Sequence, residues 1–173
     1  YTADEVLVSS GSKHALFNAF QAILQPGDEV IVPLPSWVSY PDMVRLADGV
    51  PVMPTASLAD GYKLTPGLLE MSITPKTKAI IFNSPNNPTG AVYSRREAEA
   101  LAEVLLRHRV TTISDEIYDE IVYDDARPVS LATLSPEMRR NTITINGVSK
   151  AYAMTGWRIG FAAGPADVIE AMG

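Results

Sequence analysis

Lys78-Ala79-Ile80-Ile81-Phe82 runs into Asn83-Ser84-Pro85-Asn86-Asn87-Pro88-Thr89-Gly90, and the junction between the two decides the fold. A strand with one wet face alternates apolar and polar residues. Here the apolar residues are continuous, which marks a strand buried on both faces, as in a parallel sheet. The eight residues that follow are rich in Asn, Pro, Ser and Gly and suit turns only, so a loop lies at the end of a buried strand. Further along, Ser94 precedes the helical run Arg95 to Arg107, with Glu97 in capping-box position and Leu101, Val104 and Leu105 on one face. Val110 to Ser114, Thr142 to Ile145 and Arg158 to Ala163 read as strands, and Ala166 to Met172 as a helix. In the other direction, Val6-Leu7-Val8 leads through Ser9-Ser10-Gly11 into a helix with Ser12 as its cap and Leu16, Phe17, Phe20, Ile23 and Leu24 facing inward. Glu29 to Val32 is a strand and Val38 to Leu46 a helix. Val50-Pro51-Val52 belongs at a sheet edge because proline cannot donate to a ladder. Thr65-Pro66 opens one more helix. Strands alternating with helices predict an α/β fold, a three-layer α/β/α domain on a predominantly parallel, mixed sheet.

The chain has 173 residues, 46% hydrophobic and 20% charged, which argues against disordered, collagen-like and coiled-coil classes. A chain of this length can bury one sizeable core, so a single domain over 1–173 is expected. There is no cysteine, which removes disulfides, thiolate metal sites and cysteine nucleophiles and agrees with a reducing, cytoplasmic location. No stretch approaches the ~18 continuous apolar residues of a membrane span, and Tyr1 to Glu5 lacks the features of a signal peptide. Lys plus Arg number 14 against 20 Asp plus Glu, a net charge of −6 without a basic block; binding along a nucleic-acid backbone is disfavoured. His14 and His108 have no partner at metal or triad spacing, so no metal site is expected. A start at Tyr1 and a helical pattern still running at Gly173 lead us to expect part of a longer protein.

In open α/β sheets, ligands bind beyond the carboxyl ends of the strands. The residues at those ends are therefore the candidates: Ser9 to Lys13, Pro35-Ser36-Trp37, Asn83 to Gly90, Asp115-Glu116-Ile117-Tyr118, and Asn146 to Lys150. Gly11-Ser12-Lys13 at a helix start offers free N–H groups and a positive dipole end, a setting for phosphate. Lys150, if held in an apolar environment beside a second cation, could attack a carbonyl and form a Schiff base. Arg158 follows eight residues later, near enough for a loop to bring both to one ligand.

The segment Gly147-Val148-Ser149-Lys150-Ala151-Tyr152-Ala153-Met154-Thr155-Gly156-Trp157-Arg158-Ile159-Gly160 resembles the lysine signature of class I aminotransferases, which use pyridoxal 5′-phosphate. Asn83 to Gly90 and Ser114-Asp115-Glu116-Ile117-Tyr118 resemble further motifs of that family, in the family's order. The likeness runs from about Val6 to Gly164 and is nearest to the bacterial aspartate aminotransferase subgroup, through Gly11-Ser12-Lys13, Trp37-Val38-Ser39-Tyr40-Pro41 and Ala153 to Arg158.

The resemblance implies the large, cofactor-binding domain of a fold-type I enzyme, truncated at both ends and without its small domain. It makes Lys150 the Schiff-base lysine and the base at the substrate's α carbon. Asp115 is implied as the partner of the cofactor's ring nitrogen, with Asn87 and Tyr118 bonded to its phenolic oxygen and Trp37 stacked on the ring. Gly11, Ser12, Lys13, Ser149 and Arg158 complete the cofactor site, and Lys13, Trp37 and Asn87 are implied as substrate-binding. Amino acids and keto acids are the implied partners, aspartate and 2-oxoglutarate among them, and a homodimer is the implied assembly. Ser36 and His14 depart from the subgroup, where Tyr and Gln are common. The family's arginine for the α-carboxylate and its cross-subunit tyrosine lie outside this chain. Lyases and decarboxylases of the same fold share these motifs, and a cofactor-binding regulatory module without turnover is a further alternative. A P-loop hydrolase is rejected, because no Gly-Lys dipeptide occurs in the sequence.

Overall fold

The computed structural model describes residues 1–173. In chain order the elements are β1 (Val6–Ser9), α1 (Ser12–Ile23), β2 (Glu29–Ile31), α2 (Ser39–Leu46), β3 (Val50–Val52), α3 (Pro66–Ser72) and β4 (Thr77–Asn83). There follow α4 (Arg95–His108), β5 (Thr111–Asp115), α5 (Pro136–Arg140), β6 (Thr142–Gly147), α6 (Val148–Ala151), β7 (Gly160–Ala163) and α7 (Ala166–Met172).

One seven-stranded sheet runs in the order β1-β7-β6-β5-β4-β2-β3. From β3 to β6 all pairings are parallel, whereas β7 is antiparallel to both β6 and β1. The sheet is therefore mixed and mostly parallel, with the proline strand β3 at one edge. Alternate strand residues feed two cores. Val30, Ile81, Ile113 and Ile143 pack with Leu16 and Phe20 of α1, Tyr40 and Val44 of α2 and Ile169 of α7. Ile31, Ile80 and Phe82 pack on the other face with Leu69 of α3, Leu101 and Leu105 of α4 and Met138 of α5. Leu101 is fully buried, and truncating such a side chain to alanine costs about 2–5 kcal/mol.

Helix starts follow local chemistry. Thr65 Oγ1 accepts the Leu68 N–H at 3.2 Å ahead of Pro66. Ser94 and Glu97 form a reciprocal box, Ser94 Oγ accepting the Glu97 N–H and Glu97 Oε2 accepting the Ser94 N–H. Ser135 and Pro136 repeat the first arrangement at α5, a helix the sequence reading did not anticipate. Ser12 is not the cap of α1; Gly11 holds that place at φ 83°, and Ser12 is the first helical residue. Arg158 lies outside β7, in left-handed backbone at φ 54°, and that strand begins at Gly160. No helix is long and apolar enough to cross a membrane.

Candidate active site

The strand directions bring distant residues to one edge of the sheet. Asn83 and Asp115 end β4 and β5 side by side, and Gly147 ends β6. Because β7 is reversed, its first residue Gly160 pairs with Gly147 and with Ser9, the last residue of β1. The N-terminus of α1, Lys150 after β6 and Arg158 before β7 thus arrive at the same edge. There a cleft of about 300 Å³ opens, within the range that small ligands occupy.

Two glycines set the phosphate-sized corner of this cleft. A Cβ on Gly160 would lie 2.3 Å from the Ser12 nitrogen, so only glycine lets α1 seat against β7. A Cβ on Gly11 would lie 2.2 Å from Nη2 of Arg158, so the guanidinium rests where any other residue would put a side chain. The N–H groups of Ser12 and Lys13 find no acceptor in the protein, as is usual in the first turn of a helix. Arg158 is steadied by donating from Nη1 to the Thr155 carbonyl at 2.9 Å. Nζ of Lys13 lies 4.7 Å from the ring centroid of Trp37.

The opposite chemistry lies at the end of β5. Asp115 is buried; its Oδ2 accepts the Tyr40 hydroxyl at 2.6 Å and its Oδ1 the Ile117 N–H at 3.2 Å. Burial pushes its carboxyl above the usual carboxylate range, while the Tyr40 and Ile117 donors pull the other way. Burial, then the Asp115 charge, hold the Tyr40 phenol well above its ordinary value, so it remains a neutral donor. Asn83 Nδ2 donates to the Asp115 carbonyl at 2.9 Å, and its Oδ1 accepts the Asn87 N–H at 2.8 Å. One side chain therefore ties the Asn87 loop to the β5 terminus.

Lys150 sits in the short helix α6 with its side chain exposed, not in the apolar enclosure considered from sequence. Its Nζ lies 5.8 Å from the Tyr118 ring centroid. Ser149 beside it is buried, and Tyr152 and Trp157 are each 69% exposed. None of Lys13, Lys150 and Arg158 enters an ion pair, nor does Asp115. The cleft therefore pairs three unneutralised cations with one buried, unneutralised acid.

Of the residues selected from sequence, Ser12, Lys13, Trp37, Asn87, Asp115, Tyr118, Ser149, Lys150 and Arg158 all line this cleft, and Gly11 backs Arg158. Tyr40, Ile117 and Thr155 line it as well; Ile117 stands among the strand-end candidates, and none of the three has a role assigned from sequence. Tyr40 stands three residues after Trp37, across the turn that leads into α2, and that spacing is the available sequence signal. The two histidines lie elsewhere: His14 Nδ1 accepts the Ser10 N–H at 3.3 Å, and His108 contacts Glu70 at 2.6 Å.

Known proteins are similar to this chain in sequence and fold. The aspartate aminotransferase of Geobacillus stearothermophilus is 55% identical over 172 residues, covering 99% of this chain. The aspartate/prephenate aminotransferase of Cereibacter sphaeroides is 56% identical over 174 residues, covering 100% of it. The chain spans 44% of the length of each. The crystal structure of an aspartate aminotransferase from Rhizobium meliloti superposes with a TM-score of 0.97 at 51% identity, covering 99% of this chain and 43% of that one. The family model described as aminotransferase class I and II matches residues 1–173. With that match along its whole length, the chain belongs to the aminotransferase class I and II family.

Proposed function

We propose that residues 1–173 form the cofactor-binding portion of a pyridoxal-phosphate-dependent aminotransferase that moves an amino group between aspartate, or a similar amino acid, and 2-oxoglutarate or another keto acid. The observation that carries this reading is the charge pattern of the cleft, a buried Asp115 without a cation facing a space that also holds Lys13, Lys150 and Arg158 without anions. A ligand with a dianionic end and a protonatable ring nitrogen neutralises both. The chain's donors fit such a group: the glycine-backed corner of Ser12 and Arg158 suits a phosphate, and Asp115 suits the ring nitrogen.

When bound, pyridoxal phosphate supplies an electron sink for the electrons left at the substrate's α carbon. Asp115 holds the proton on the ring nitrogen, and its burial excludes water from that contact. Asn87 and Tyr118 orient the group through its phenolic oxygen, and Trp37 covers a ring face. Lys150 would hold the group covalently through Nζ and, once freed, would move the proton between the substrate's α carbon and the cofactor's C4′. Lys13, a point charge at the mouth of the cleft, suits the distal carboxylate of a dicarboxylic substrate. The exposed Tyr152 and Trp157 beside Lys150 support a homodimer in the whole protein.

Borohydride treatment of the full-length protein loaded with pyridoxal phosphate tests the assignment. The cofactor should become fixed to the peptide containing Lys150; label on Lys13, Lys63, Lys76 or Lys78 instead would refute it.

A further inference from the structure

We propose that Tyr40 is a positioning residue, whose hydroxyl, by donating to Oδ2 of Asp115, keeps that carboxylate charged and aimed at the cofactor's ring nitrogen. The inference rests on the reading of the cleft given above and assigns a part to a residue that the resemblance left unassigned.

The geometry is specific. Tyr40 is 1% exposed and Asp115 3% exposed, and their contact, at 2.6 Å, joins residues 75 apart in sequence. A buried carboxylate takes up a proton unless donors hold the charged form. Asp115 has two side-chain contacts of that kind, Tyr40 on Oδ2 and the Ile117 amide on Oδ1. The amide comes from the residue two positions on and cannot by itself fix the carboxylate's rotation. The phenol comes from another element and can. Tyr40 is itself anchored: its ring meets Trp37 edge-on at 5.3 Å and 86°, and it packs in the core with Val44 and Ile81. The turn that leads into α2 therefore delivers two things, an indole at the cleft wall from Trp37 and a hydroxyl on the acid behind it from Tyr40.

A tyrosine that only filled the core would serve equally well without its hydroxyl. The test is equilibrium binding, to full-length protein, of pyridoxal phosphate and of the analogue in which carbon replaces the ring nitrogen. Wild-type protein should prefer the true cofactor, because only it meets Asp115. In Tyr40→Phe, which keeps the ring and its packing, that preference should fall about tenfold, the scale of one hydrogen bond to a charged group, while affinity for the analogue stays near wild type. The titration midpoint of the Asp115 carboxyl in cofactor-free protein, followed by carbon NMR, should move upward in the same variant. An undiminished preference in Tyr40→Phe overturns the inference and leaves the proposed function standing. Wild-type protein that does not bind pyridoxal phosphate overturns both. Should Tyr40→Phe fail to fold, Tyr40→Leu is the second donor-free variant, judged by the same ratio of affinities.

Discussion

Asp115 shows how far a single residue's environment can be read from its neighbours. Its folded-state affinity for a proton is raised, first by burial, so in cofactor-free protein it favours folding below the unfolded value near 3.8 and loses that contribution as pH climbs through the raised folded value. An asparagine at this position does not ionise. Thermal unfolding of cofactor-free Asp115→Asn should therefore gain on wild type as pH rises from about 4 to 7, by about 1.4 kcal/mol for each unit of displacement. A difference that stays constant across that range would show that the carboxyl titrates normally. Saturating pyridoxal phosphate should reverse the ranking at pH 7, since the ligand stabilises the protein that binds it more tightly.

At the scale of elements, much was legible and the failures have causes. Thr65-Pro66 and Ser94 with Glu97 predict helix starts, and α3 and α4 begin there, because capping is a contact over three residues and needs no partner elsewhere. Gly11 as the cap of α1 is not legible in the local pattern, since the need for glycine there comes from its backbone, held at φ 83°. Tyr40 is signalled locally only by its spacing from Trp37; that its phenol on α2 meets a carboxylate on β5 is a long-range contact, which the spacing does not announce. The reversal of β7 is also silent in its own apolar run, yet it is what carries Arg158 to the ligand edge. Close approach between elements can be tested where glycine permits it. Gly160→Ala drives a methyl against the Ser12 backbone and should destabilise by about 1–3 kcal/mol while weakening cofactor binding. Gly67→Ala, in α3 with open space around it, should be neutral or stabilising by up to about 1 kcal/mol. Thermal unfolding and cofactor titration of the two variants separate these effects.

For the molecule as a whole, the segment between α6 and β7 has a practical consequence. Lys150 and Arg158 flank an exposed stretch that carries two outward aromatic side chains, and such segments are where proteases nick a folded chain. Trypsin requires an uncovered cationic side chain and a backbone that can be pulled into its groove. Residues 1–173, expressed alone, should be cut after Lys150 and Arg158 early in a limited digest. Saturating pyridoxal phosphate should slow both cuts, by capping one amine and engaging the other cation. Lys76, exposed in the turn before β4 at the opposite edge of the sheet, should be cut at the same rate with and without it. Mass spectrometry of the fragments against time gives the three rates together. Equal slowing at all three would reflect inhibition of the protease, and unchanged cleavage at Lys150 would mean that the amine stays free. The loop would then serve as a built-in gauge of occupancy, read as a pattern of peptides without any substrate being turned over.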